Sequence, residues 1–211
     1  MVTCAIVGAK GYAGCELIRL LAQHPHCQLT YVADRDAIPQ DARELVPSLP
    51  ANRQYLIQQC DYATLVTSAE VVFLALPHTK SLEYVPQLKK DKKIIIDLSA
   101  DFRMKDYQRY EQWYKVQHPA PALAAEAVYG LPELFRDAVK KTSLIANPGC
   151  FPTAITLGLI PLLKRNYIKQ TGIVVDAKTG ISGAGRVPSV KNHFCEVAEN
   201  FQAYKVNEHQ H

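Results

Sequence analysis

The 211-residue sequence lacks any hydrophobic run approaching the roughly 20 residues that a membrane-spanning helix needs. It also lacks a basic leader with a cleavage site, since Met1 leads almost at once into an apolar, strand-like segment. Charge of one sign is nowhere concentrated: the formal net charge is +4, and lysines and arginines are scattered along the chain. These absences argue against membrane and nucleic-acid partners, whereas a mild positive balance suits small anionic ligands.

The six cysteines lack a CxxC pair and lack the spacing of metal ligands. Without a signal peptide, this usage predicts reduced thiols in the cytoplasm and no metal site. The hydrophobic fraction of 48% and the charged fraction of 21% are ordinary for a globular protein and exclude disordered and collagen-like classes. The composition therefore predicts a cytoplasmic α/β protein.

Three glycines at regular spacing follow the first strand-like segment, residues 3–7, and a helical pattern follows them. In that context the pyrophosphate of a dinucleotide lies against a helix N-terminus. The spacing is GxxGxxG rather than GxGxxG, and a tight turn with close helix packing is the alternative interpretation. The residues predicted to bind the cofactor here are Gly8, Lys10, Gly11, Tyr12, Ala13 and Gly14.

Asp34 and Arg35 directly follow a second predicted strand, residues 29–33. In a Rossmann fold, an acidic residue at this place bonds the ribose 2′-hydroxyl of NAD, while an arginine accommodates the 2′-phosphate of NADP. Both residue types are present, so the residues alone leave NAD and NADP open. A surface ion pair is a third interpretation.

Two later apolar runs, residues 71–76 and 94–98, predict parallel strands that deliver polar side chains to one edge of a sheet. We expect the residues after the first run to lie near the cofactor. The residues at the end of the second run form either a ligand-binding cluster or a self-satisfied Asp–Arg pair. Pro77 and His78 follow the first run, and Asp97, Asp101 and Arg103 lie at the end of the second.

Cys150 follows a predicted strand at residues 143–146 and an Asn-Pro-Gly turn, and it precedes a predicted helix at residues 151–164. At the N-terminus of a helix, exposed N–H groups and the positive end of the helix dipole favour a thiolate over a thiol. The alternative is a small buried residue at a tight turn, because free cysteine is among the most buried residue types. The pattern favours a nucleophile.

Beyond that helix, residues 172–179 and 201–206 have strand-like patterns. The glycine-rich segment between them is flexible enough to wrap an anion, and Arg186 is either its planar anion-binding group or a solvated loop arginine. The chain closes on HQH, which has no carboxylate or cysteine partner at the spacing that a metal site needs.

The segment NPGCFPTAITLGLIP resembles the N-acetyl-γ-glutamyl-phosphate reductases, an arginine-biosynthesis family among the aspartate-semialdehyde dehydrogenase-like proteins. GAKGYAG, IDLSADFR, VYGLPEL, KTGISGAGR and HQH follow in the family's order, so the resemblance covers nearly the whole chain. It implies a Rossmann-like α/β domain with a parallel sheet that binds NADP(H), over residues 1–147. The start of an α+β catalytic domain of the dimerisation type would follow over residues 148–211. A homo-oligomer, dimer or tetramer, is also implied.

The resemblance implies that Cys150 attacks an acyl phosphate to form a thioester, which NADPH reduces to N-acetylglutamate 5-semialdehyde. His209 would activate the thiolate and transfer the proton. Side chains two residues apart on a strand point the same way, so the sequence alone does not distinguish His209 from His211 in this role. The other implied site residues are Ser182 and Gly183 against the nicotinamide, and Arg103, Asn147, Arg186 and His211 at the substrate.

Two features differ from the family's pattern. Gln210 stands where the family often has arginine, and family members continue well past the terminal histidine motif, so we expect a fragment of a longer product. Two other functions stay open: a carrier-linked aminoadipyl-phosphate reductase of lysine biosynthesis, and a catalytically silent nucleotide-binding module. Aspartate-semialdehyde dehydrogenase itself is disfavoured because its cysteine surroundings differ from NPGCFPT.

Overall fold

A computed structural model of the chain describes residues 1–36 and 38–206. The chain divides into two compact units, Met1–Pro148 and Gly149–His211. All six cysteines are free thiols.

The first unit alternates strands with helices. Its strands are β1 (Val2–Val7), β2 (Cys27–Asp34), β3 (Gln40–Asp41), β4 (Leu56–Gln59), β5 (Val71–Leu74), β6 (Ile94–Asp97), β7 (Val128–Tyr129) and β8 (Leu144–Ala146). Its helices are α1 (Tyr12–Leu21), α2 (Tyr62–Ser68), α3 (Ser81–Lys90), α4 (Tyr107–Tyr114), α5 (Pro121–Glu126) and α6 (Pro132–Val139), with a short 3₁₀ helix at Ala42–Glu44.

The eight strands form one sheet in the order β3-β4-β2-β1-β5-β6-β8-β7, and every pair is parallel except β3 with β4. From β1 the chain builds outward to β2 and β4, then returns to the other side of β1 with β5, β6 and β8. The strand order therefore reverses between β1 and β5. In open parallel sheets, ligands bind outside the carboxyl ends of the strands at such a point. The predicted α/β fold with a Rossmann-like parallel sheet is confirmed.

Helices cover both faces of the sheet. On one face, α1 contributes Ile18 and Leu21 to a buried cluster with residues of β1 and β2. On the other face, α3 buries Leu82, Val85 and Leu88 against β5 and β6. Because both faces are covered, the central strands are apolar without alternation, which is why their sequences are continuous hydrophobic runs.

The second unit contains α7 (Cys150–Lys164), 3₁₀ helices at Ile181–Ala184 and Val190–Asn192, and α8 (Phe194–Val197). The helix predicted at residues 151–164 is confirmed. The strands predicted at residues 172–179 and 201–206 are wrong, because both segments are irregular. Val174 is 93% exposed and Phe201 is 76% exposed. A strand needs a hydrogen-bonded partner, and residues 149–206 contain no strand that could supply one.

None of the helices within the described ranges is both long enough and apolar enough to cross a membrane.

Close backbone packing shapes the loop after β1. Gly8 has a φ of +94°, and a Cβ built on it would lie 2.3 Å from the carbonyl oxygen of Ala75, just after β5. A Cβ on Gly14, in the first turn of α1, would lie 2.2 Å from the carbonyl oxygen of Gly8. The fold therefore requires glycine at both positions. Gly11 differs, since its added Cβ would meet nothing nearer than 3.7 Å.

We expect Gly14→Ala to lower the free energy of unfolding by about 1–3 kcal/mol, the usual cost of overpacking. Helix propensity alone would predict the opposite change, because alanine is favoured over glycine by about 1 kcal/mol in a helix interior. Urea denaturation followed by circular dichroism measures the difference, with Gly11→Ala as the matched control. A Gly14→Ala variant as stable as Gly11→Ala would contradict the packing argument.

Candidate functional site

Gly11 is the N-cap of α1 and has ordinary extended angles, φ −70° and ψ 159°. Neither its conformation nor its neighbours require glycine, so the missing side chain leaves open space above the helix N-terminus. Among the described residues no side chain caps this helix. The first-turn residues Tyr12 and Ala13 are exposed. A bare backbone at an uncapped helix N-terminus fits the pyrophosphate of a dinucleotide.

The carboxylate of Asp34 ties the end of β2 to this loop. Its Oδ2 accepts a hydrogen bond from the N–H of Lys10 at 2.8 Å, and its Oδ1 accepts one from the N–H of Arg35 at 2.8 Å. The side chain of Arg35 is 61% exposed, with its Nε 3.9 Å from a carboxylate oxygen of Asp36. Both oxygens of the acidic residue thus serve the loop itself, while the guanidinium extends into solvent.

Pro77 and His78 lie exposed beyond the carboxyl end of β5. The Nδ1 of His78 accepts a hydrogen bond from the N–H of Ala100 at 3.0 Å, which assigns the ring proton to Nε2. The His78 ring also packs edge-on against Tyr114, with 5.3 Å between ring centroids. His78 therefore links the loop after β5 to the loop after β6.

The buried carboxylate of Asp101 holds the N-terminus of α3. It accepts hydrogen bonds from the N–H of Thr79 at 2.7 Å, the N–H of Ser81 at 3.0 Å and the hydroxyl of Tyr110 at 2.9 Å. Thr79 adopts a φ of +74° on the way into the helix. An anion at a helix N-terminus is stabilised by the dipole, so Asp101 orders this loop from within.

Asp97, the last residue of β6, is also fully buried. Its oxygens accept hydrogen bonds from the hydroxyls of Ser81 at 2.7 Å and Ser99 at 2.9 Å, and from the N–H of Ser99 at 2.9 Å. Burial, together with the charge of Asp101, raises the pKa of Asp97 to about 6 despite these hydrogen bonds. The two carboxylates thus bond to serines, a tyrosine hydroxyl and main-chain N–H groups.

Arg103 contacts main-chain oxygens. Its Nε donates to the carbonyl of Asn147 at 2.6 Å, and its Nη2 donates to the carbonyl of Leu98 at 2.6 Å. Burial lowers the pKa of the guanidinium, and the nearby Asp97 opposes that effect. Asn147 is held at its other side too, since its N–H donates to the carbonyl of Asp97 at 2.8 Å. The structure therefore brings Arg103 and Asn147 together at the ends of β6 and β8.

In the second unit, Cys150 is the exposed first residue of α7. The hydroxyl and the N–H of Thr153 both donate to the carbonyl of Gly149, at 2.8 and 3.1 Å, which closes the first turn. Partial burial and the nearby charge of Cys150 raise the pKa of Tyr204. The sequence analysis did not predict Tyr204 as a neighbour of this thiol. The sequence around Tyr204 does not distinguish it from other aromatic residues in apolar segments.

The other predicted residues of this unit are more dispersed. Ser182 and Gly183 lie in the 3₁₀ helix Ile181–Ala184, and Arg186 is exposed in the loop that follows. His209 and His211 lie outside the described residues.

Two family models match the chain. The one described as the NAD binding domain of semialdehyde dehydrogenase matches residues 3–142, well over half of the chain, and the one described as the dimerisation domain matches residues 150–211. The chain belongs to the semialdehyde dehydrogenase family. Its first unit therefore carries the NAD-binding domain of that family.

Curated relatives extend the similarity over the whole chain. Proteins named N-acetyl-gamma-glutamyl-phosphate reductase from Desulforamulus reducens and Desulforudis audaxviator are 43% and 46% identical to it over 211 residues. Each alignment covers 100% of this chain and 61% of the relative, so the chain spans about 61% of the relatives' length. The resemblance seen in the sequence motifs is confirmed.

A solved structure agrees on the fold. The aspartate semialdehyde dehydrogenase of Candida albicans superposes with a TM-score of 0.54 over 78% of this chain and 47% of that one. At 14% identity, this likeness supports the semialdehyde dehydrogenase fold alone.

The buried carboxyl of Asp97 predicts a pH dependence of stability. Its folded-state pKa of about 6 lies above the ordinary value near 4, so between these limits the native state keeps a proton that the unfolded state has lost. Stability should therefore fall as pH rises from about 4 to about 6, by on the order of 2–3 kcal/mol at about 1.4 kcal/mol per pKa unit. Above that window the loss is constant.

Urea midpoints at several pH values, measured for the original chain and for Asp97→Asn, separate this effect from other titrations. The difference between the two proteins should change across the pH window of about 4 to 6 and be flat above it. A difference that is constant throughout would show that the pKa of Asp97 is the same in the native and unfolded states, and it would contradict the raised pKa.

Proposed function

We propose that this chain carries the catalytic machinery for the NADP-dependent reductive dephosphorylation of N-acetyl-L-glutamyl 5-phosphate to N-acetyl-L-glutamate 5-semialdehyde, a step of arginine biosynthesis. The observation that carries the proposal is Cys150, an exposed thiol at the first position of α7. It lies within a match of 43–46% identity to relatives named for this reduction, which spans all 211 residues of this chain and 61% of each relative. A helix N-terminus stabilises negative charge, which suits a sulfur nucleophile.

The two parts of the chain take different roles in this proposal. In it, residues 1–147 bind the nucleotide, and residues 148–211 belong to the catalytic domain of the dimerisation type. The match of residues 150–211 to a dimerisation domain supports a homo-oligomer, either dimer or tetramer. A cytoplasmic location stays a prediction from composition.

The open space at Gly11 and the uncapped N-terminus of α1 support a dinucleotide as the cofactor. The exposed guanidinium of Arg35 supports NADP, because Asp34 already uses both oxygens within the loop. The residues proposed to hold NADP(H) are Gly8, Lys10, Gly11, Tyr12, Ala13, Gly14, Asp34, Arg35, Pro77, His78, Ser182 and Gly183.

The proposed chemistry centres on the thiolate of Cys150. It attacks the carbonyl carbon of the acyl phosphate, the carbon–oxygen bond to phosphate breaks, and the acyl group is held as a thioester. When bound, the reduced nicotinamide supplies a hydride. The aldehyde then leaves as the carbon–sulfur bond breaks and the thiolate is regenerated. His209 is the proposed proton carrier, and the proposed substrate contacts are Arg103, Asn147, Arg186 and His211.

Phosphate-dependent reduction of NADP in the presence of N-acetylglutamate 5-semialdehyde tests the reaction in its reverse direction, which avoids the unstable acyl phosphate. We expect turnover by the 211-residue chain, and loss of turnover by at least about 10³-fold in Cys150→Ser, because a hydroxyl is a far weaker nucleophile without a strong base. Cys195→Ser, which changes another exposed thiol of the same unit, is the matched control and should retain activity.

Other outcomes of this assay separate the alternatives. Turnover only with a carrier-linked aminoadipate semialdehyde would assign the lysine-pathway reaction. Cofactor binding that alkylation of Cys150 leaves unchanged, with no turnover on either aldehyde, would favour a silent nucleotide-binding module. No turnover and no cofactor binding would contradict the proposal as a whole.

Replacing Arg35 tests the choice of cofactor. We expect Arg35→Leu to raise the dissociation constant of NADPH about tenfold or more while leaving that of NADH within about twofold, because only NADPH places a phosphate at this guanidinium. Fluorescence titration of the reduced cofactors provides the measurement. Arg53→Leu, at an exposed position away from the carboxyl ends of β1 and β5, is the control. Equal weakening of both cofactors by Arg35→Leu would count against NADP selectivity at this residue.

A further inference from the structure

Two half-buried tyrosines of the first unit, Tyr114 at the end of α4 and Tyr129 at the end of β7, have hydroxyls that bond to none of the described residues. By contrast, the hydroxyl of Tyr110, one turn earlier in α4, donates to Asp101 at 2.9 Å. No fully buried side-chain nitrogen or oxygen in the described ranges lacks a partner, so the hydroxyls of Tyr114 and Tyr129 reach solvent. Each of them can therefore donate a hydrogen bond to a ligand.

The register of the sheet places Tyr129 near Arg103. Tyr129 is the last residue of β7 and pairs with Ala146, the last residue of β8. Asn147 follows directly, and its carbonyl oxygen accepts a hydrogen bond from Nε of Arg103 at 2.6 Å. Burial raises the pKa of Tyr129, and the positive charge of Arg103 opposes that rise, as expected for a phenol close to a guanidinium.

Tyr114 approaches the same guanidinium from α4. Its ring stacks on that of Tyr110, with 4.7 Å between ring centroids, and it meets the ring of His78 edge-on at 5.3 Å. These contacts hold Tyr114 beside the loops after β5 and β6, the second of which carries Arg103. Burial raises the pKa of Tyr114 as well, and the charge of Arg103 again opposes the rise.

The Arg103 guanidinium has one nitrogen that the fold does not use. Nε and Nη2 each donate to a main-chain carbonyl at 2.6 Å, whereas Nη1 bonds to no residue within the described ranges. The main chain therefore fixes the plane of the guanidinium and leaves the two N–H groups of Nη1 for a ligand. Such a planar, permanently charged group matches the oxygens of phosphate and of carboxylate. Neutral phenol donors nearby would add hydrogen bonds to the same anion.

We propose that Tyr114 and Tyr129 donate hydrogen bonds to an oxyanion of the acyl-phosphate substrate, together with Nη1 of Arg103. The oxyanion is either the phosphate or the α-carboxylate of that substrate, because both present acceptor oxygens with negative charge. The inference deepens the proposed function by adding two substrate contacts to Arg103, and it rests on that function for the identity of the substrate. It also gives the tyrosine of the VYGLPEL motif a role.

Tyr114→Phe and Tyr129→Phe remove one hydroxyl each, and Tyr107→Phe, at the exposed start of α4, is the matched control. In the phosphate-dependent reduction of NADP, we expect each of the first two variants to raise the KM of phosphate or of the semialdehyde about tenfold, the usual effect of losing a hydrogen bond to a charged group. The kcat should stay within about threefold, because the bond is made to bound substrate as well as in the transition state. Tyr107→Phe should change neither KM.

The two substrates of this assay separate the two oxyanions. A raised KM for phosphate identifies the phosphate, and a raised KM for the semialdehyde identifies the carboxylate. Unchanged KM values for both substrates in folded variants contradict the inference. An equal rise in the dissociation constant of NADPH also contradicts it, because the hydroxyls would then serve the cofactor.

Binding of the anions alone decides the matter if the original chain shows no turnover. Inorganic phosphate and N-acetyl-L-glutamate are titrated into chain carrying ¹³C at tyrosine Cζ, with sodium chloride at equal ionic strength as the reference and the three variants for assignment. We expect the resonances of Tyr114 and Tyr129 to shift saturably with at least one anion, while that of Tyr107 stays in place. Saturable shifts without turnover would refute the proposed function alone. No saturable shift at either tyrosine would overturn the inference.

Discussion

The close approach of the loop after β1 to the end of β5 is the constraint on which the nucleotide edge of this fold depends. Gly8 is required by that approach, because the carbonyl oxygen of Ala75 occupies the space that its side chain would need. Gly14 is required by the same loop, because the carbonyl oxygen of Gly8 occupies the corresponding space. Glycines in such a motif can therefore be required by the packing of the fold as well as by a bound ligand. Gly11 separates the two purposes, because none of the described residues of the first unit requires it to be glycine.

Two buried carboxylates rigidify the loops at the same edge. Asp101 accepts hydrogen bonds from N–H groups at the N-terminus of α3, and Asp97 accepts hydrogen bonds from the hydroxyls of two serines. Such burial has an energetic cost, because the raised pKa of Asp97 shows that desolvation outweighs its hydrogen bonds. A fully bonded polar network of this kind rigidifies the loops that it joins. Rigid loops at the strand ends suit a site that must bind ligands in one geometry.

Much of the first unit could be predicted from sequence because its signals are local. The continuous apolar runs at β5 and β6 indicated parallel strands, whose two faces are covered. The strands predicted at residues 172–179 and 201–206 failed because an apolar pattern says nothing about a partner. A strand is a property of two segments, whereas a pattern describes one.

The site shows the same division between local and long-range information. Cys150 was found from its turn and helix, which are contiguous in sequence, and its place at the start of α7 follows from them. The partners of Arg103 could not be predicted, because a guanidinium matches phosphate, carboxylate and carbonyl oxygens alike. Which acceptor it meets depends on the strand order, which brings β6 and β8 side by side although Leu98 and Leu144, the first residue of β8, lie 46 positions apart in the sequence. The carbonyl oxygens that Arg103 contacts are therefore long-range information, which only the strand order supplies.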